Sequence, residues 1–307
     1  MIVVAHPDDE TIGMGAQLCR FKDALLVQVT DGAPRDGHDA NAHGYSSTAE
    51  YATARRVELT TALEAGEARG VRTEIVGISD REACFDLVEL TGRLLGLLRT
   101  EAPDAIFVLA YEGGHPDHDA ASFAVNAACR LIEARGGSAP GIIEMTGYHA
   151  DSGGLVTGVF LPGQHAVATL TLTAADRLRK KRMIDCFASQ RKLLAGFAVE
   201  TESSREAPQY NFTPPTHRGE LHYERLRWKI NGCAVAAASL IGSRPAWFAR
   251  MPKRLTVLNI AYPFAPVGSD TAGGAEQVLS AIDRRGSTRC VDAPIPDVAP
   301  VGRVLKP

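Results

Sequence analysis

Short apolar runs separated by helix-like stretches fill the first 134 residues, and this alternation constrains the fold more than any other feature of the chain. Residues 1–4, 24–30, 71–76 and 105–110 are apolar enough to be buried strands. The intervening segments 11–21, 49–69 and 85–99 carry helical patterns, and 120–134 follows the last strand in the same way. Within 49–69, Val57, Leu59, Ala62, Leu63 and Ala65 are spaced for one buried face. Strands alternating with helices imply βαβ crossovers and a parallel sheet covered on both faces. The expected class is α/β: a Rossmann-like three-layer fold with a mostly parallel sheet.

The second half is less regular. Residues 142–148 and 166–172 read as strands, and 173–194 as a long helix with Thr173 as its N-cap. Segment 200–220 is polar and bears prolines, so it reads as a loop and as a candidate lid or substrate-contacting segment. A boundary is expected near 243–254. Beyond it come a fresh apolar run at 255–261, a glycine turn opening a helix at 273–279, and a proline-rich end at 291–307. The chain therefore divides into 1–245 and a C-terminal extension, 246–307.

Bulk properties narrow the function classes. The 307 residues carry a net charge of −3, so nothing in the sequence suggests a surface for nucleic acid or anionic lipid. No apolar run approaches the ~20 residues of a membrane-spanning helix, and no signal peptide precedes the first strand. Six scattered cysteines without a CxxC pair read as buried thiols in a reducing compartment, so a cytoplasmic location is expected. Oligomeric state leaves no mark on the sequence.

Chemistry concentrates in two clusters. Ala5-His6-Pro7-Asp8-Asp9-Glu10 follows the first apolar run, and His115-Pro116-Asp117-His118 follows the fourth. Ligands of open α/β sheets gather just beyond the carboxyl ends of the strands, so the two clusters are placed to meet. A catalytic zinc site offers three protein ligands and one open position. One turn can aim His6 and Asp9 at a single point, and His118 would arrive from the other strand end. Asp8 would then stand near the metal as a general base for an activated water. His115 could steady an oxyanion or protonate a leaving amine, with Asp117 accepting its second N–H. Taken singly, each residue has a plainer reading: Asp8 or Asp9 as a helix N-cap, His115 as a solvated loop histidine. The paired pattern favours a metal centre.

These clusters, in this framework, resemble the PIG-L/LmbE family of zinc-dependent N-deacetylases, over roughly residues 1–240. The resemblance implies removal of acetyl groups from N-acetylglucosamine-type substrates, a small-molecule amino-sugar partner and Zn2+ as cofactor, with Fe2+ as an alternative divalent ion. It implies His6, Asp9 and His118 as metal ligands, Asp8 as the base, and His115 tuned by Asp117 as the charge-stabilising pair. Arg55 resembles a family arginine that contacts substrate, against a surface ion pair with Glu58 as the alternative. Asp31, in Thr30-Asp31-Gly32, could line the pocket or cap a turn. His217, in Thr216-His217-Arg218-Gly219, resembles a late family segment that could reach the site. Tyr111 is the nearest tyrosine before His115, because Gly113 and Gly114 fill the stretch where some members carry one. His38, His43, His149, His165 and His222 fit no pattern.

Residues 254–307 resemble the opening of a GT-B (family 4) glycosyltransferase, where a glycine turn at a helix N-terminus approaches nucleotide-sugar phosphates. One strand and one helix cannot transfer a sugar alone. Two rival functions stand beside the deacetylase reading. Two histidines and a carboxylate also form the facial triad of non-haem iron enzymes, though the Asp8-Asp9 pair has no task there. A non-catalytic nucleotide- or sugar-binding module would suit the Rossmann pattern, but Gly13 and Gly15 do not complete a GxGxxG.

Overall fold

The computed structural model describes residues 1–163, 165–226 and 228. The boundary expected near 243–254 and the glycosyltransferase-like stretch lie outside the described residues.

The described chain begins with β1 (Ile2–Val4), α1 (Asp9–Met14), β2 (Ala24–Pro34), α2 (His38–Ala42), α3 (Thr48–Ala65) and β3 (Val71–Asp80). It continues through α4 (Leu87–Glu101), β4 (Ala105–Leu109), α5 (Pro116–Glu133) and β5 (Gly141–Met145). A hairpin of β6 (Tyr148–Asp151) and β7 (Gly154–Thr157) follows, then β8 (Val167–Thr171), α6 (Ala174–Cys186), α7 (Arg191–Leu194), β9 (Thr201–Glu206) and α8 (His222–Arg225). The main sheet has seven strands in the order β3-β2-β1-β4-β5-β9-β8. The first five are mutually parallel, and β9 runs antiparallel to both β5 and β8. This is the three-layer α/β architecture with a mostly parallel sheet.

Strand alternation feeds two cores. Val3, Leu25, Val27, Ile106 and Val108 face one side, where they pack with leucines of α4 and alanines of α5. Ile2, Val4, Leu26, Phe107 and Leu109 face the other, against Leu59 and Ala62 of α3 and Met183 of α6. Because β1 is buried on both faces, all three of its residues are apolar, as a central parallel strand requires.

Several expected boundaries shift, each for a local reason. The helical face of α3 buries Tyr51, Arg55, Leu59, Ala62 and Leu63, while Val57 points to solvent. A buried arginine occupies the face that an apolar pattern alone would assign elsewhere. The long helix expected at 173–194 breaks at Phe187, whose ring is fully buried. There the Ser189 N–H turns to the Glu58 carboxylate (2.8 Å) instead of continuing the helical ladder. Thr173 is the N-cap, its hydroxyl accepting the Asp176 N–H.

Residues 201–206, expected to be loop, form strand β9 instead. Two of its polar side chains, Glu202 and Arg205, are buried because each meets an opposite charge. Glu202 pairs with Lys180 at 3.0 Å and Arg205 with Glu144 at 2.8 Å. The strand expected at 142–148 divides into β5 and β6, with Thr146 and Gly147 between them. Residues 11–21 are mostly a 3-10 helix after α1 ends at Met14.

Among the described residues, Cys84 and Cys129 are buried thiols, and no helix is long and apolar enough to cross a membrane.

Candidate active site

The sheet order reverses between β1 and β4, since β2 and β3 extend one way and β5 the other. At such a switch point the loops after the two strands splay apart and leave a crevice. Both His–Asp clusters lie there. The first occupies the turn from β1 into α1. The second opens α5: His115 is the N-cap, its Nδ1 accepting the Asp117 N–H at 3.2 Å, and Pro116 takes the first helical position. Proline suits that position because its missing N–H would have no helical partner. The helix thus starts four residues earlier than the apolar pattern suggested, and carries His118 on its first turn.

His6, Asp9 and His118 converge. His6 Nδ1 lies 3.3 Å from His118 Nε2 and 3.5 Å from Asp9 Oδ2, and His118 Nε2 lies 3.1 Å from Asp9 Oδ1. All three side chains are buried. Ligands at about 2.1 Å in a tetrahedral arrangement stand about 3.4 Å apart, so these separations fit a single ion. Asp9 is braced from behind, its Oδ2 accepting the N–H groups of Ala5 (3.1 Å) and His6 (2.7 Å).

The other nitrogen of His6 makes the fit stronger. Nε2 lies 3.1 Å from Asp80 Oδ1 and 3.3 Å from Asp117 Oδ2. Two carboxylates there keep the proton on Nε2 and leave the Nδ1 lone pair facing Asp9 and His118, the usual way a ligating histidine is oriented. Burial opposes a charged ring, but Asp80, Asp117 and Asp9 outweigh it and raise the His6 pKa well above the ordinary value. The centre therefore attracts positive charge.

Asp117 does not serve His115 in the way the sequence suggested. Its carboxylate is taken by His6 Nε2 and by the N–H groups of Arg81 (2.6 Å) and Ala83 (3.0 Å). Its nearest oxygen is 3.8 Å from His115 Nδ1, beyond hydrogen-bond range. It is the backbone N–H of Asp117 that orients His115. With Nδ1 accepting, the neutral ring carries its proton on Nε2, which faces Asp80 Oδ1 at 3.7 Å. Burial, helped by His6, holds the His115 pKa well below its ordinary value, so the ring stays neutral.

Asp8 adopts φ 130° and ψ −26°, a conformation side-chain-bearing residues rarely take. Arg55 holds it there: Nη2 donates to the Pro7 carbonyl at 2.6 Å and to Asp8 Oδ2 at 3.0 Å. Nη1 of Arg55 bonds Glu58 and Ser189 on the far side. Gly32, with φ +66°, makes room, since a Cβ there would meet Pro7 and Arg55 Nε. Burial raises the Asp8 pKa to about 6, with the Arg55 charge pulling against it. Arg55 is 2% exposed, so it reaches Asp8 from behind rather than presenting itself to solvent. The Glu58 pair exists too, as a buried contact and not a surface one.

The remaining expected residues bond other partners. Asp31 accepts the N–H groups of Ala33 (2.9 Å) and Asp80 (3.3 Å), which ties the end of β2 to the end of β3. His217 lies in the loop before α8, with Nδ1 accepting the Gly219 N–H. The Tyr111 hydroxyl faces the Pro214 carbonyl at 3.5 Å, and its ring packs on Tyr210 and Phe212.

Sequence reasoning missed Asp80, Tyr148 and Trp228. Asp80 ends β3 opposite Pro34 of β2, and its N–H bonds the Asp31 carboxylate. Tyr148 packs on His118 (5.2 Å between ring centroids) and Trp228 on His115 (4.9 Å), with Arg81 over the Trp228 ring at 4.4 Å. Nothing local in the sequence marks either aromatic.

A buried His–Asp–His group whose ligand atoms could hold a metal ion thus lies at the switch point of an α/β sheet, with a braced carboxylate beside it. The family described as GlcNAc-PI de-N-acetylase (PIG-L) matches residues 1–129. The 1D-myo-inositol 2-acetamido-2-deoxy-alpha-D-glucopyranoside deacetylase 2 of Saccharopolyspora erythraea is 32% identical over 149 residues, 41% of this chain and 54% of that protein. The chain thus matches about half the length of this curated relative. Two solved structures share the fold: the A40926 pseudoaglycone deacetylase Dbv21, and a deacetylase of the teicoplanin biosynthesis pathway. Each is 17% identical with a TM-score of 0.50, over 67% of this chain and 95% and 97% of theirs, respectively.

Proposed function

We propose that this chain is a PIG-L-type deacetylase that removes the N-acetyl group from an N-acetylglucosamine-type sugar or conjugate. The observation that carries the reading is the convergence of His6 Nδ1, Asp9 and His118 Nε2, at 3.1–3.5 Å from one another, beside an Asp8 held by Arg55. The family match over residues 1–129 and the deacetylase named above support it.

His6, Asp9 and His118 would hold a divalent ion, Zn2+ by the two-imidazole, one-carboxylate donor set. When bound, it supplies Lewis-acid polarisation of the amide carbonyl and makes water more acidic. Asp8 accepts the proton of the attacking water. The new C–O bond forms at the acetyl carbon, and His115 Nε2–H donates a hydrogen bond to the carbonyl oxygen as it gains charge. Asp8 then passes its proton to the amine nitrogen as the C–N bond breaks. Acetate and a free amino sugar leave. Asp117 and Asp80 keep His6 in its ligating tautomer, and Arg55 keeps Asp8 aimed.

The test is acetate release across a panel of N-acetylglucosamine conjugates. Release from at least one, lost with chelator and restored by Zn2+, is expected. No release from any conjugate, or release that ignores the chelator, rejects the reading. Metal analysis after purification without air decides between Zn2+ and Fe2+.

A further inference from the structure

One buried hydroxyl beside the His–Asp–His group is left unused. Tyr148 opens β6 and is 8% exposed. Its ring meets His118 edge-on, with 5.2 Å between centroids, and meets Phe197 and His222 in the same manner at 6.0 and 5.7 Å. All three contacts are to the ring. Among the described residues the hydroxyl has no hydrogen-bond partner, and its oxygen is not one of the fully enclosed unpaired atoms, so it borders open space. A buried tyrosine hydroxyl usually finds a partner in the protein, and one that does not calls for an explanation.

The surroundings place that hydroxyl at the centre. Burial, then the carboxylates of Asp9, Asp8, Asp80 and Asp117 in that order, raise the Tyr148 pKa well above its ordinary value, so the phenol stays protonated. Charge effects weaken with distance, which puts the oxygen on the Asp9–Asp8 side of the centre. His115 stands on the other side, its Nε2 3.7 Å from Asp80 Oδ1 and its Nδ1 3.8 Å from Asp117 Oδ2. Two neutral donors thus approach the metal ligands from different sides. The backbone makes room for this arrangement. A Cβ on Gly114 would collide with the Tyr148 carbonyl and come within 3.0 Å of Cδ2 of its ring. Only a glycine there lets β6 bring its tyrosine against the first turn of α5.

We propose that Tyr148 is a catalytic residue whose hydroxyl donates a hydrogen bond to the oxygen of the attacked acetyl carbonyl, across from His115. The proposal rests on the deacetylase reading, and its tests separate the two. Attack of water turns a neutral carbonyl oxygen into an oxyanion, and a donor already in place stabilises that charge more than it stabilises the amide. A purely structural Tyr148 would act through its ring, which phenylalanine supplies equally well. Tyr148→Phe therefore isolates the oxygen. The variant keeps its metal, read by elemental analysis, and its kcat for acetate release falls about 10²–10³-fold with KM unchanged, the usual loss of one oxyanion donor. An unchanged kcat, a rise in KM alone, or loss of the metal overturns the assignment.

Calorimetry on the metal-loaded protein gives a reading independent of turnover. The probe is the methylphosphonamidate of glucosamine, whose tetrahedral phosphorus carries oxygen where the oxyanion would form. It binds about tenfold more tightly to the unmodified protein than to Tyr148→Phe, as a mimic of the attacked amide should. If that difference stands while the unmodified protein releases acetate from no conjugate, the tyrosine keeps its role as a donor to bound oxyanions and the deacetylase reading falls. If acetate is released and the probe binds both proteins alike, the deacetylase reading stands and the role of Tyr148 falls.

Discussion

A φ of 130° at Asp8 costs about 1–3 kcal/mol and persists only where surrounding contacts overdetermine it. Arg55 is the main such contact, since one nitrogen grips both the Pro7 carbonyl and the Asp8 carboxylate. Removing it leaves Asp8 and Glu58 buried without their counter-charge. Arg55→Met is therefore expected to lower kcat with little change in KM, because it disturbs the base and not a substrate contact. Arg55→Lys should restore part of kcat by keeping the charge while losing the two-point grip. A rise in KM alone would instead mark Arg55 as a substrate ligand. The two halves of the centre separate in the same way. His118→Ala should lose the metal, read by elemental analysis. Asp8→Ala should keep it and lose kcat by about 10²–10⁴-fold, the usual contribution of a general base. Full activity in Asp8→Ala would reject its assignment.

At the level of elements, the first turn of α5 and the glycines before it set the geometry. Gly114 packs so closely on the Tyr148 carbonyl that a Cβ there would collide with it, and Tyr148 in turn packs on His118. Gly114→Ala must push β6 away from the centre. It should lower kcat/KM at least tenfold while far-ultraviolet dichroism stays unchanged; unaltered activity would show that the contact is dispensable. Both His–Asp clusters were legible because their chemistry is local: each follows an apolar run, and each opens a helix with proline near its start. Asp80 was not, because the sequence shows where β3 begins but not that it runs on to Asp80 in register with β2. Arg55 was legible as a residue and as a partner of Glu58, but its burial was not. Burial of a charged side chain depends on partners 47 and 134 residues away, Asp8 and Ser189. Strand β9 was hidden for the same reason: it has no apolar residue, and its burial depends on Lys180 and Glu144.

Across the whole molecule, the parallel half of the sheet followed from the strand–helix alternation; β8 was legible as a strand at 166–172, but the polar β9 and the antiparallel pairing it makes with β8 and β5 were not. That second half braces the first. Lys180 Nζ donates to the Ile12 carbonyl at 2.8 Å and to Glu202 at 3.0 Å, and Glu202 also accepts from Ala16 N and Gln17. The pair is almost wholly buried. Lys180→Met should cost about 3–5 kcal/mol by stranding Glu202, read as a lower urea midpoint. Adding Glu202→Leu should recover most of the loss; if the single change proves harmless, α1 is anchored some other way. The strut also sets an order of events during synthesis. The turn bearing His6 and Asp9 leaves the ribosome almost two hundred residues before Glu202, which anchors the segment that follows it. A nascent chain must therefore carry an unbraced, charge-rich turn over that stretch of its translation, exposed to any divalent ion or chaperone that meets it first.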